Sequence, residues 1–196
     1  MKRRDFFYSS CILGSAILLG CNSTQGLVET RKINSTANEL YIPPNSNRIK
    51  MSYEQTGNQL ATAELMLPPK MCGPAPHYHD ELDEIVRVVS GTLTLMVEDE
   101  VVKVPEGGWH FRPRKKVHSF WNETDEPVRF IEIYPNQNFD VFLKKIWTLR
   151  DSYAAKGLTR EAPELWQEQE QLNKQWGITG YPERRNEIIK KYGLRG

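Results

Sequence analysis

All four histidines of the chain, His77, His79, His110 and His118, lie in its middle third, and that concentration constrains the fold more than any other feature. The first pair reads Pro76-His77-Tyr78-His79. Residues two apart on a strand share a face, so both imidazoles point one way and Tyr78 the other. Glu84 follows at the head of the apolar run Ile85 to Val89. Neutral imidazole binds most divalent transition metals well, and a nearby carboxylate adds a hard anionic ligand. These residue types suit a metal site, provided the scaffold turns them inward.

The scaffold is legible in the surrounding pattern. Residues 48–53, 60–67, 85–89, 92–97, 101–104, 117–121 and 128–134 are short apolar or alternating runs. Gly, Pro or acidic turns separate them, the spacing expected of an all-β barrel. Within one run, alternation puts His118, Phe120 and Asn122 on one face and Ser119 and Trp121 on the other. Gly91 and the Gly107-Gly108 pair fall at turns where a Cβ is expected to interfere. No internal repeat is visible, so the expectation is one barrel.

The residues around the histidines resemble the two motifs of the cupins. The first motif of that family reads G, five residues, H-x-H, three or four residues, E, six residues, G. Here His77-x-His79 is followed by four residues, Glu84, six residues and Gly91, with Gly73 standing one or two residues too close to His77. The second motif reads G, five residues, P-x-G, two residues, H, three residues, N. Gly107, Pro113, His118 and Asn122 match it, and Lys115 replaces the turn glycine. The resemblance implies an all-β fold, an antiparallel cupin β-barrel or jelly roll, with His77, His79, Glu84 and His118 holding one divalent metal. Manganese, iron, nickel, copper and zinc all remain open. Four protein ligands on a six-coordinate metal leave two positions for chemistry, whereas structural zinc sites are closed.

The two ends of the chain read differently. Lys2, Arg3 and Arg4 precede a mostly apolar run from Phe6 to Gly20. That run is short for a membrane span and has the shape of a signal peptide, assigned to residues 1–20. Arg3-Arg4-Asp5-Phe6-Phe7 resembles the twin-arginine export signal. Leu18-Leu19-Gly20-Cys21 resembles the bacterial lipobox, which implies lipidation at Cys21, membrane attachment through that lipid and an extracytoplasmic location. Residues 21–45, rich in Asn, Ser and Thr, read as a tether to a barrel over 46–136. With Cys11 in the signal and Cys21 taken by the lipobox, Cys72 alone remains, so an internal disulfide is excluded and a buried inert thiol is expected.

After Asn138 the period changes. Phe139, Phe142, Leu143, Ile146 and Trp147 recur at helical spacing, with Gly157 closing the segment. Leu165, Gln169, Leu172 and Trp176 line a second helix ending at Gly177, and Pro182 opens a third with Ile188, Ile189 and Tyr192 on its apolar side. Residues 137–196 thus read as a C-terminal α-helical extension, resembling that of single-barrel cupins described as quercetinase-like. Its stripes are packing surface, for its own barrel or for a second copy in a homodimer. Arg112, Arg114, Lys115 and Lys116 read as a basic turn, either solvated or drawing an anionic or phenolate substrate to the barrel mouth. His110 reads as a strand residue, with a role behind the ligands or as a base left open.

A net charge of +1 offers no strongly basic field to pair with nucleic acid, and the cupin resemblance implies a small-molecule partner. The resemblance favours a quercetinase-like dioxygenase acting on a phenolic or other electron-rich substrate, with Glu84 as ligand and proton acceptor. A non-catalytic binder of carbohydrate or organic acid, and a cupin isomerase or decarboxylase, stand as alternatives. The lipobox carries the first prediction. One acyl chain gives only marginal membrane binding, so stable anchoring requires more than one. Cys21→Ser is expected to move the protein from the membrane pellet to the soluble fraction, read by fractionation and immunoblot; a wholly membrane-bound variant overturns the lipobox.

Overall fold

The computed structural model describes residues 48–158 and 162–196. The expected signal peptide and the whole of the expected tether, Cys21 included, lie outside the described residues. The described part contains eleven strands and three helices. In chain order they are β1 (Ile49–Met51), β2 (Leu60–Leu67), β3 (Met71–Cys72), β4 (His77–His79), β5 (Glu84–Ser90), β6 (Thr92–Val97), β7 (Glu100–Pro105), β8 (Trp109–Arg112), β9 (His118–Asn122) and β10 (Val128–Pro135), then α1 (Phe139–Ala154), α2 (Pro163–Gln175), β11 (Ile178–Gly180) and α3 (Pro182–Tyr192).

Two antiparallel sheets face each other. One runs β1-β2-β10-β5-β8 and the other β11-β4-β9-β6-β7, with β3 also paired to β9. The alternation that marks the strands in sequence sets which residues go inside. On β10, Val128, Phe130, Glu132 and Tyr134 are buried while Arg129 is exposed. Val86, Val88, Leu93, Leu95, Val104, Phe120, Val128 and Phe130 form the core between the sheets. Burying each such side chain contributes roughly 1.5–3 kcal/mol. On β9 the odd face behaves as expected. Trp121 turns away from that core and packs with Cys72, Met96, Ile188 and Leu194 under the C-terminal segment. Cys72 is the buried free thiol expected of it.

The tail packs on its own barrel. Phe139, Phe142, Leu143 and Ile146 of α1 bury against Ala61, Ala63, Leu82, Tyr134 and Ile178. Proline occupies the first turn of both α2 and α3, where its missing N–H has no intrahelical partner to lose. Gly193 closes α3 in the left-handed conformation, φ 62°. Two sequence expectations need correction. The run at 48–53 forms a strand only over Ile49–Met51, because the chain turns at Tyr53, whose N–H is held by Asp140 of α1. The tail is not purely helical either. β11 pairs residue by residue with β4, placing Ile178 opposite His79 and Gly180 opposite His77. Three residues between two helices carry too little pattern to announce a strand.

The turn glycines differ in what they do. Gly91 carries the chain from β5 in one sheet to β6 in the other, with φ +80°, and a Cβ there would lie 2.9 Å from the Pro127 carbonyl oxygen. Gly107 also has positive φ, +78°, but a Cβ there would meet nothing within 4 Å. The expected Cβ interference therefore holds at Gly91 and at Gly108, where a Cβ would lie 2.7 Å from Val104 Cγ1, and fails at Gly107, where the backbone conformation alone favours glycine. A left-handed L-residue costs roughly 1–2 kcal/mol. Gly107→Ala is expected to destabilise by about that amount, and Gly91→Ala by about 3 kcal/mol or more because the β5–β6 crossing must also open. Urea unfolding of the two variants checks the difference, and equal losses would contradict the contact at Gly91.

Candidate metal centre

β4 and β9 lie side by side, with His77 opposite His118. β5 brings Glu84 from the facing sheet, at its first residue. The ligand atoms of His77, His79, Glu84 and His118 all fall within 4.8 Å of one another, so the group can bind a metal ion. Glu84 Oε2 is 2.8 Å from His118 Nε2, and Glu84 Oε1 is 3.5 Å from His79 Nε2. The rings of His77 and His118 are 4.5 Å apart between centroids.

Backbone carbonyls orient two of the rings. His77 Nδ1 is 2.8 Å from the Ala75 oxygen and His118 Nδ1 is 3.0 Å from the Lys116 oxygen. With Nδ1–H donating to those carbonyls, each Nε2 is left as a lone-pair donor, the arrangement metal-binding histidines use. Burial, reinforced by His118 and His79, holds the His77 pKa well below its usual value, so the ring is neutral as a ligand must be. His79 Nε2 makes no hydrogen bond among the described residues, and His118 Nε2 meets only Glu84 Oε2, although both nitrogens are fully buried. Buried polar atoms rarely go unpartnered. Orphaned lone pairs converging on one carboxylate fit a divalent transition metal.

The glutamate sits in a wider charged network. Burial opposes its ionisation, but Arg112, His79 and His118 outweigh burial and hold its pKa well below the carboxylate range. Arg112 Nη1 is 3.4 Å from Glu84 Oε2, while Nη2 donates to Glu132 Oε1 at 2.6 Å. Tyr134 Oη donates in turn to Glu132 Oε2 at 2.5 Å. Burial raises the Glu132 pKa despite Arg112, and raises that of Tyr134 further, with Glu132 adding to it. Arg112 stays protonated, since Glu132 and Glu84 outweigh its burial.

The expected basic turn does not exist as a patch. Arg112 is 1% exposed and points into the barrel. Arg114 is engaged by Asp83, with Nη2 at 2.7 Å from Oδ2 and its backbone N–H at 2.8 Å from Oδ1. That fork ties the residue before Glu84 to the turn before His118, and so links the two ligand motifs. Lys115 and Lys116 alone remain exposed. His110 lies on β8 opposite Val86, outside the ligand group. Glu132 and Tyr134 were missed from sequence. The signal was present, because alternation along β8 and β10 places Arg112 and Glu132 on inward faces.

A cavity of about 630 Å³ opens beside the group. His77 and Glu84 reach it from the ligand side, Arg112 and Tyr134 from the network, and Phe120, Phe130, Phe139 and Phe142 supply aromatic walls. Such a volume suits a small organic ligand. The ligand assignment predicts that Glu84→Ala and His118→Ala each lose most bound metal. The barrel should stay folded, because its strand hydrogen bonds do not depend on the ion. Metal per chain by elemental analysis, with circular dichroism as the folding control, decides it. Full occupancy in both variants removes these residues from the coordination sphere.

Residues 63–134 match the family model described as "Cupin domain". An uncharacterized protein of Aquifex aeolicus (strain VF5) is 43% identical over 53 residues, which is 27% of this chain and 44% of that protein. A cupin protein from Bacteroides fragilis superposes with TM-score 0.38 at 21% identity, covering 39% of this chain and 65% of that one. A sugar phosphate isomerase of the cupin superfamily from Silicibacter pomeroyi gives TM-score 0.41 at 26% identity, covering 45% and 59%. The chain thus spans less than two thirds of the length of each of these relatives. The matched residues 63–134 include the strands that carry the His-His-Glu-His group.

Proposed function

We propose that the chain is an exported, lipid-anchored, metal-dependent dioxygenase of the quercetinase-like type, acting on a small phenolic or other electron-rich aromatic substrate. The observation that supports this reading most is the joining of the His77, His79, Glu84 and His118 group to an aromatic-walled cavity of about 630 Å³. When bound, the metal supplies Lewis acidity and, for a redox-active ion, one-electron chemistry. In this reaction both atoms of dioxygen enter the product and the substrate supplies all the electrons. No diffusible reductant is needed, which suits an extracytoplasmic location.

The chain's own residues then have definite roles. Phe120, Phe130, Phe139 and Phe142 stack against a planar ring and exclude water from it. Glu84 is ionised across the neutral range, so the proton movement open to it is acceptance from a substrate hydroxyl. α1 roofs the group, with the Phe139 ring 5.2 Å from that of His79. The full chain, loaded separately with manganese, iron, nickel, copper and zinc, is to be tested by oxygen electrode against catechols and flavonols. The expected result is one dioxygen consumed per substrate, with both labelled oxygen atoms in the product. Oxygen uptake by none of the loaded forms would overturn the proposal, and substrate binding without uptake would identify a binding protein.

A further inference from the structure

We infer that Arg112 is a second recognition group of the cavity, and that the natural ligand is a small planar monoanion with one face of negative charge on this guanidinium. The inference deepens the metal-dependent reading above and rests on it. Arg112 lines the cavity while being 1% exposed. Its Nη2 is committed to Glu132 at 2.6 Å. Its Nε and Nη1 make no hydrogen bond among the described residues, although Nη1 lies 3.4 Å from Glu84 Oε2. A guanidinium presents its donors as a rigid fork that matches a carboxylate or a pair of oxyanions. A buried fork with Nη2 engaged by Glu132, Nη1 in loose ion contact with Glu84 and Nε without an acceptor still has donors to offer a ligand that brings oxygen atoms.

The charge balance of the interior points the same way. The buried charged groups beside the cavity are Glu84, Arg112 and Glu132. Arg112 and Glu132 offset one another, so a divalent ion with Glu84 leaves the interior at a net charge of at least +1. In a low-dielectric cavity an uncompensated charge is strongly unfavourable, and a monoanion removes it. Aromatic walls add a preference for a flat ligand, since the guanidinium carbon itself lies 5.4 Å from the centre of the Phe120 ring. A phenolate, an enolate or an aromatic carboxylate meets all three conditions, and a neutral sugar meets only the size.

The test uses benzoate and benzamide, which share shape and differ in charge. Binding of each to the metal-loaded full chain is measured by calorimetry, for the native protein, for Arg112→Lys and for the double variant Arg112→Met/Glu132→Gln. The double variant removes one positive and one negative charge together, so net charge and the metal's own attraction for anions are unchanged. Native protein is expected to bind benzoate at least ten-fold tighter than benzamide. The double variant should lose most of that ratio at equal metal content, and Arg112→Lys should keep part of it. A native protein that does not discriminate between the two overturns the inference even if the variants fail to fold. So does an unchanged ratio in a folded, metal-loaded double variant. Loss of the ratio without any oxygen uptake in native protein would keep the anion site and reject the oxygenase.

Discussion

A carboxylate that is 3% exposed has to be paid for by nearby positive charge, and Glu84 is in that position. Removing a carboxylate from water costs several kcal/mol even after the surroundings relax. The nearest permanent cation is Arg112, whose Nη1 is 3.4 Å away, but the same guanidinium is more tightly held by Glu132 at 2.6 Å. One cation therefore serves two buried anions. The three histidines around Glu84 carry no permanent charge, and burial works against protonating His77. A divalent ion among these ligands turns that deficit of positive charge into a modest surplus. The Arg112–Glu132–Tyr134 network and the fitness of the group for a metal ion both follow from this one buried glutamate.

The same constraint explains why the tail is part of the site. β4 has only three residues and meets β9 through the single pair His77 and His118. A strand so short holds its side chains poorly when one edge is open. β11 covers the other edge along all three residues, and the Asp80 N–H donates to the Gly177 oxygen at 2.8 Å just beyond. Gly177 has φ +61°, and a Cβ there would lie 3.1 Å from the Asp80 carboxylate, so the strap is fitted closely to the ligand strand. α1 closes the same region from above through Phe139, which touches both His79 and Tyr134. Rigid ligands on a three-residue strand thus depend on contacts made about a hundred residues later in the chain.

How much was legible depends on whether a residue's role is local. His77, His79, Glu84 and His118 stand at the fixed spacings of the cupin motifs, so their meeting was implied by that resemblance, while alternation told only which residues share a face. The helices of the tail announced themselves through apolar period and through Pro163 and Pro182. β11 did not, because its partner is β4 and nothing in Ile178-Thr179-Gly180 says so. Arg112 was misread for a related reason. Next to Arg114, Lys115 and Lys116 it looks like one member of a charged run, yet it is the last residue of β8 and faces inward, while Arg114 is drawn off by Asp83. The partner that makes the burial of Arg112 tolerable is Glu132, twenty residues on and in a strand two places away in the sheet. Long-range pairing of charges leaves no mark on local composition.

Lys115 shows what a motif letter stands for. The family pattern has glycine at this turn, and Lys115 takes the conformation glycine would, with φ +63°. A non-glycine residue there costs roughly 1–2 kcal/mol. What the turn must deliver is its peptide N–H, which donates to the His79 carbonyl at 2.7 Å and fixes the backbone of a ligand residue. Every residue but proline carries that N–H. The requirement is therefore one of backbone direction, which the Asp83–Arg114 fork beside it helps to enforce. Glycine satisfies it without strain, and lysine satisfies it because the flanking contacts hold the turn in place. The histidines permit no such exchange, since their role is carried by the side-chain nitrogen itself.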